Sequence, residues 1–338
     1  IRKSSPVHSI VHYHRKPRLT GNYSLEAIFH DVRQRLPEWP IKQVVAPCLS
    51  NGLWRRVQII LHAWWHQGDV THVTGDINFA TLLLRKRTTV LTILDCIDAD
   101  RPGCSGWIYR KLWFGWPARR AALITTISEA SKLDIVKYTG CDPQNIVVTG
   151  VAISQSYQFY PKEFDSKRPV ILQIGTAPNK NIERLAEALQ RINCKLVIVG
   201  VLNDSQRAAL ACFRIIFEEH QRLSKAQLLE KYIESDMVSF VSTFEGFGMP
   251  ILEGNAVGRP VITGNCTSMP EVAGDAACLV DPYSVASIRA GIQQIIEDPV
   301  YRDILITRGL KNAKRFDPDV IAQKYLGVYQ RLTKVKLP

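Results

Sequence analysis

One pattern constrains this chain more than any other: short, continuous apolar runs alternate with helix-length segments, and the alternation stops once and then restarts. Val7 to His12, Ile41 to Ala46, Val70 to Thr74, Val90 to Leu94 and Ala122 to Ile127 read as strands covered on both faces. Among them, Ser24 caps a helix running to about Leu36, and Ser128 caps one running to about Tyr138. The pattern lapses from Gly150 to Arg168, which reads as a linker. It resumes with strands at Val170 to Ile174, Leu196 to Val199, Ile215 to Phe217, Val238 to Val241 and Val261 to Thr263. Helices are expected from Asn179, Ser224 and Pro250, and from Ser284 to about Leu332 with breaks near Pro299 and Pro318. Strand–helix alternation implies parallel sheets joined by crossovers. The 338 residues fit two doubly wound domains of roughly 150 residues each. In such sheets ligands bind beyond the carboxyl ends of the strands, here expected in the cleft between the domains.

Composition narrows the classes. Apolar residues make up 46% and charged residues 22%, ordinary for a soluble α/β protein. The longest apolar runs fall well short of the ~18 residues of a membrane span. No charged, hydrophobic, then small-residue pattern of a secretory signal begins at Ile1. The eight cysteines are scattered without a C-x-x-C pair, which argues against a zinc knuckle or disulfide framework and for a reducing, cytoplasmic setting. Charge is shared unevenly. Residues 1–150 hold 20 Lys/Arg against 11 Asp/Glu and all seven tryptophans, whereas residues 151–338 hold 23 against 20. The two halves are therefore expected to meet different partners.

The most informative stretch is STFEGFGMPILEGNAVGRP, residues 242–260. Glu245 falls just past a strand, and Gly246 and Gly248 let the backbone bend and approach a ligand closely. Pro250 suits the first helical position. Free N–H groups and the positive helix end there suit a phosphate. Glu253 is expected in the first helical turn, facing the same cleft, where a carboxylate can accept hydrogen bonds from two adjacent sugar hydroxyls. On residue chemistry alone a second reading stands beside this one: Glu253 complements the helix dipole and Glu245 is a loop charge.

E-G-F-G-M-P-I-L-E, then G-R-P-V-I-T and S-M-P-E-V-A-G-D-A-A, resembles the C-terminal domain of glycosyltransferase family 4, retaining enzymes of the two-domain GT-B fold. I-L-Q-I-G-T-A-P-N-K-N (171–181), L-V-I-V-G (196–200) and L-L-E-K-Y-I-E-S-D-M-V (228–238) follow the same resemblance, which covers nearly all of residues 170–282 and the N-terminal half only weakly. It implies an N-terminal acceptor domain over 1–150, a linker over 151–168 and a nucleotide-sugar domain over 169–316. A final helix over 317–338 would cross back to the first domain.

By matching position, the resemblance implies that Glu253 holds the ribose of a nucleotide sugar and Glu245 lies against the donor sugar. Backbone N–H groups of Phe247, Gly248 and Met249 would meet sugar hydroxyls and diphosphate, Lys180 would neutralise the diphosphate, and Arg222 and Leu223 would line the base. Thr176 stands where the family often has a phosphate-binding arginine near Gly175. V-L-T-I-L-D-C (90–96) aligns with a family segment that usually reads T-I-H-D, so Leu94 replaces a histidine and Asp95 becomes the candidate polar group. Asp95 also reads as a strand-end acid. Gly21 and Ser24 could contact acceptor or phosphate, or Ser24 could simply cap its helix.

Asp98 and Asp100 form a D-x-D that looks like the metal-binding motif of single-domain glycosyltransferases, but the resemblance to the two-domain fold, in which a helix terminus and a lysine do the work of a cation, implies a solvated acidic loop and no metal or other cofactor. In S-G-W-I-Y-R-K-L-W-F-G-W-P-A-R-R (105–120), Trp107, Trp113 and Trp116 interleave with Arg110, Lys111, Arg119 and Arg120. That stretch suits either contact with anionic lipid or a core helix with a solvated basic face. No nucleic-acid motif appears. The resemblance thus implies transfer of a hexose from a UDP- or GDP-sugar to a saccharide or lipid-linked oligosaccharide, in bacterial cell-surface polysaccharide synthesis at or near the inner membrane face. An epimerase of the same fold, a non-catalytic nucleotide-sugar-binding protein and a basic adaptor are the rival readings.

Overall fold

The computed structural model describes residues 9–17, 24–96, 99 and 103–333. It divides into two compact units, Ile1–Ala152 with Pro318–Pro338, and Ile153–Asp317.

The first unit runs β1 (Ile10–His14), α1 (Ser24–Arg35), β2 (Ile41–Val45), α2 (Leu53–Trp65), β3 (Val70–Thr74), β4 (Thr89–Thr92), α3 (Gly103–Arg110), α4 (Trp116–Arg119), β5 (Leu123–Thr126), α5 (Glu129–Thr139) and β6 (Ile146–Val148). The strands form one parallel sheet in the order β2-β1-β3-β4-β5-β6. Tyr13, Val73, Leu91 and Ile124 pack with Ile59 and Ala63 of α2 in its core. The first strand lies later than its apolar run suggests: pairing with Ile41–Val45 and Val70–Thr74 extends it to His14, because the two histidines at its end are themselves buried. The basic, tryptophan-rich segment is not one helix. A π-helical stretch, Lys111–Gly115, joins α3 to α4 and aims Phe114 inward while Trp107 and Trp116 stay exposed.

The second unit runs β7 (Val170–Ile174), α6 (Ile182–Leu189), β8 (Lys195–Val199), α7 (Asp204–Cys212), β9 (Phe217–His220), α8 (Lys225–Glu234), β10 (Met237–Phe240), α9 (Met249–Val257), β11 (Val261–Gly264), α10 (Met269–Ala273), β12 (Cys278–Val280), α11 (Val285–Glu297) and α12 (Pro299–Lys314). Its parallel sheet has the order β12-β11-β10-β7-β8-β9. The chain adds strands to one side of β7, then returns to its other side at β10, so the loops after β7 and β10 flank the point where strand order reverses. Ligands of open α/β sheets bind at such points. Two elements depart from the sequence expectation here. The segment after β7 is a 3-10 turn, Pro178–Lys180, and α6 starts only at Ile182, because Asn181 adopts φ 61 and breaks the helical run. Arg214, at φ 55, likewise delays β9, which is an edge strand reading FEEH rather than the apolar Ile215–Phe217.

Residues from Ile153 to Arg168 carry no regular element yet pack within the second unit: Lys162 pairs with the buried Asp236, and Phe164 joins the core fringe. The last helix, α13 (Pro318–Thr333), packs within the first unit, where Arg35 Nη1 meets Asp319 Oδ1 at 2.5 Å and Lys324 Nζ donates to the Thr149 carbonyl at 3.1 Å. Among the described residues no helix is long and apolar enough to cross a membrane.

Candidate active site

The loop after β10 turns sharply before α9, and the loop after β7 lies against it. Thr243 N–H donates to the Asn179 carbonyl at 2.8 Å, and Asn179 Nδ2 donates to the Phe244 carbonyl at 2.8 Å and to Glu245 Oε1 at 3.2 Å. These bonds bring Lys180 Nζ to 2.5 Å from Glu245 Oε1, with both side chains largely shielded from solvent. Lys180 Nζ also stands 4.5 Å above the Phe240 ring. Gly175, at φ 86, leaves room for the lysine stem: a Cβ there would fall 2.9 Å from Lys180 Cε. The proposed phosphate cation and the proposed sugar-facing carboxylate thus form an ion pair with each other.

The glycine turn is held from the other side. Ser268 Oγ lies 2.9 Å from the Glu245 carbonyl and 2.8 Å from the Phe247 carbonyl, and Thr267 Oγ1 accepts the Glu245 N–H at 3.2 Å. Phe247 is buried, its ring edge-to-face with Phe316 at 5.5 Å. Gly248 is the N-cap of α9 at φ 118, a conformation that L side chains rarely adopt. Met249 is the first helical residue and Pro250 the second. Pro250 has no N–H and the Ile251 N–H donates to the Gly248 carbonyl at 3.0 Å, which leaves the Met249 N–H without a partner in the helix, at the positive end of the dipole.

Glu253 corrects one expectation. It is the fifth residue of α9, and the first turn carries no acid. It is therefore not placed to complement the dipole. Instead Tyr232 donates to Glu253 Oε2 at 2.5 Å, and Tyr157 donates to the same carboxylate. The two phenol rings meet edge-to-face at 5.5 Å. No lysine or arginine pairs with Glu253 among the described residues, and burial pushes its carboxyl up from the ordinary range despite the two phenols. Glu253 is thus an acceptor whose partners here are hydroxyl groups.

The other candidates stand at varying distance from this arrangement. Thr176 lies against Gly200, where an added Cβ would approach Thr176 Cγ2 to 2.6 Å, and its carbonyl accepts Gln206 Nε2 at 2.8 Å. Arg222 is exposed at φ 53 with Leu223 half-buried, in the loop between β9 and α8. Asp95 belongs to the first unit. With Leu94, Thr92, Gly75 and Trp113 it lines a cavity of about 310 Å³ beyond the ends of β3 and β4. Gly21, Asp98, Asp100 and the Ser24 side chain lie outside the described residues. Among those described, no group of three or more His, Cys, Asp or Glu is disposed to hold a metal. The sequence reading missed Asn179, Thr267, Ser268, Tyr157 and Tyr232. Asn179, Tyr232 and Ser268 stood inside the stretches quoted above, but nothing in spacing marked them as partners of Glu245 and Glu253.

Compared with solved structures, the chain superposes over 98% of its length on all of a glycosyltransferase from Rickettsia africae, with a TM-score of 0.73 at 15% identity. The fold is GT-B. A second GT-B match is Anabaena HepE, solved in complex with UDP and glucose, with a TM-score of 0.72, 16% identity and 96% of this chain covering all of that one. Residues 156–312 match the family model of glycosyl transferases group 1, and the match contains Tyr157, Lys180, Tyr232, Glu245 and Glu253. In sequence the chain is 30% identical over 242 residues to an O-antigen chain mannosyltransferase B of Escherichia coli, covering 63% of this GT-B chain and 61% of that protein. The chain spans about three fifths of the length of the curated relatives it matches.

Proposed function

We propose that this chain is a retaining glycosyltransferase that moves a hexose from a nucleoside diphosphate sugar, UDP- or GDP-linked, to a saccharide or lipid-linked acceptor in bacterial cell-surface polysaccharide synthesis. The observation that carries the proposal is the Lys180–Glu245 pair at the strand-order reversal, beside the amino end of α9. A cation, a carboxylate and a helix start converge where a sugar diphosphate would lie. The group 1 match over 156–312, the mannosyltransferase relative and the UDP and glucose held by the HepE fold support it.

In this reading the diphosphate enters over Gly248 and Met249, and Lys180 turns from Glu245 toward it. Glu245 then faces the hexose, where a carboxylate favours positive charge developing at the anomeric carbon. The bond from that carbon to the diphosphate oxygen breaks as the acceptor oxygen bonds on the same face, and the acceptor proton passes to the leaving diphosphate. Glu253 accepts the two ribose hydroxyls in place of the tyrosine phenols. Arg222 and Leu223 border the base, Thr176 the phosphates, and Asp95 is the candidate polar group of the first unit; no metal takes part. The reading places the chain in the cytoplasm, where the scattered cysteines would stay reduced.

The test is release of nucleoside diphosphate from UDP- and GDP-hexoses, with Lys180→Ala and Glu245→Ala beside the parent. Turnover by the parent that both variants lose supports transfer. Tight nucleotide binding with neither transfer nor donor hydrolysis would favour a non-catalytic binder, a reading that Leu94 at the usual histidine position keeps open.

A further inference from the structure

Helix α2 of the first unit is apolar on two opposite faces. Ile59 and Ala63, four residues apart, are buried in the core. On the other side Trp54, Val57, Leu61 and Trp65 recur at three- and four-residue intervals and face outward, with Trp54 84% and Trp65 77% exposed and Leu53 and Trp64 beside them. A helix that only covers a sheet needs the first stripe and not the second. Isolated exposed apolar residues are ordinary, but a stripe with three tryptophans is a contact surface.

The stripe continues into its neighbours. Arg85 N–H donates to Gln67 Oε1 at 2.8 Å and Arg85 Nη2 to the Gly68 carbonyl at 2.7 Å, which ties the exposed Leu83, Arg85, Lys86 and Arg87 to the end of α2. The guanidinium of Arg56 lies 4.8 Å from the Trp113 ring centre, joining α2 to the π-helical stretch that carries Trp107 and Trp116 on either side. The exposed and half-buried residues of segments 51–67, 82–87 and 103–120 include nine lysines and arginines and no aspartate or glutamate.

We infer that this face docks on an anionic lipid bilayer, with α2 lying in the interface, its outward tryptophans among the headgroups and the surrounding cations against lipid phosphates. Tryptophan suits that depth because its ring is apolar and its N–H wet. Lysine and arginine lay their stems along apolar surface while the charge stays in water. The absence of any acid from all three segments selects an anionic occupant over a mixed-charge protein face. The sequence reading placed the lipid-facing candidates at 105–120; the structure adds α2, whose outward stripe is the more exposed. This inference rests on the first unit's surface and not on the donor site, so either can fail without the other.

The test is sedimentation of the full chain with vesicles of phosphatidylcholine alone and of phosphatidylcholine with about one third phosphatidylglycerol, at low and high salt. The chain is expected to partition onto the anionic vesicles with a blue shift of tryptophan fluorescence, and to be released by salt. W54S/W65S should weaken binding at least roughly tenfold, as should R85E/K86E/R87E, while Tyr283→Ser, an exposed aromatic of the second unit, should leave it unchanged. Circular dichroism checks that each variant folds. Failure of the parent to bind anionic vesicles, or W54S/W65S binding as tightly as the parent, would overturn the inference. So would a dimer of the parent that W54S/W65S dissociates, since the face would then belong to a second copy.

Discussion

The Tyr232 phenol lies 2.5 Å from Glu253 Oε2, and Tyr157 donates to the same carboxylate from a segment with no regular structure. This half-buried acid is satisfied by two hydroxyls with no lysine or arginine paired to it among the described residues, and in the proposed reading it exchanges them for ribose hydroxyls. Its raised pKa gives the exchange a pH dependence.

In the proposed reading Glu253 accepts two ribose hydroxyls, which a glutamate does only when ionised. Because its folded pKa lies above an ordinary glutamate's 4.5, nucleotide affinity is expected to fall on acidification while exposed carboxylates are still charged. Calorimetric titrations from pH 8 downward should show this for the parent. In Glu253→Gln they should show weak binding with no such slope.

Glu245→Gln separates binding from transfer. Removing the negative charge releases Lys180 for the diphosphate, so the affinity for a nucleoside diphosphate should rise, by roughly threefold to tenfold for a shielded ion pair. Transfer should nevertheless be lost. Lys180→Ala should lose both. If Glu245→Gln weakens nucleoside diphosphate binding as much as Lys180→Ala does, the two residues are not competing for one site.

Gly248→Ala places a Cβ at φ 118 and 3.0 Å from Ile251 Cδ1. Strain of this kind costs ~1–3 kcal/mol. A thermal melt should move down by several degrees, and donor binding should weaken, since the N–H groups at the start of α9 would be displaced.

The first unit should be acid-sensitive for a separate reason. His12, His14 and His72 are buried side by side, and Tyr329 of α13 lies 2.8 Å from His12 Nε2 and 2.9 Å from His72 Nδ1. Its one phenol proton can serve only one of them, so the other ring must donate to it. Burial lowers the pKa of His14 to about 4 and of His72 to about 3. The unfolded chain therefore binds more protons than the folded one below the ordinary 6.5, and stability falls as pH falls from there toward the folded values. Between pH 6.5 and 5 the loss is of order 2 kcal/mol for each of these two histidines. Denaturant titrations at pH 7 and pH 5 measure it, and His72→Gln should flatten the dependence.

The strand at Leu196 to Val199 was legible because a parallel strand covered on both faces is built mainly of apolar residues, and Val170–Ile174 is apolar but for the buried Gln173. The edge strand Phe217–His220 was not, since its exposed positions hold glutamates and the apolar signal came from Ile215 and Ile216 just before it. Glu245, Lys180 and Glu253 were marked by motif. Their partners were not. Tyr232 and Ser268 are brought there by the packing of α8 and α10 on α9, and Tyr157 comes from the irregular segment before β7. The outward stripe of α2 could have been found from the spacing of Trp54, Leu61 and Trp65, but the same spacing would serve a core helix until the opposite face is known to be buried.

The central claim is a donor site built on the Lys180–Glu245 pair and Glu253. Calorimetric titration of UDP and GDP into the parent and into Glu253→Ala tests it most directly. The account predicts that one of the two nucleotides binds the parent with a Kd of about micromolar order and that the variant loses tenfold or more. Absence of binding by either nucleotide at about millimolar concentration, or equal binding by Glu253→Ala, would contradict it.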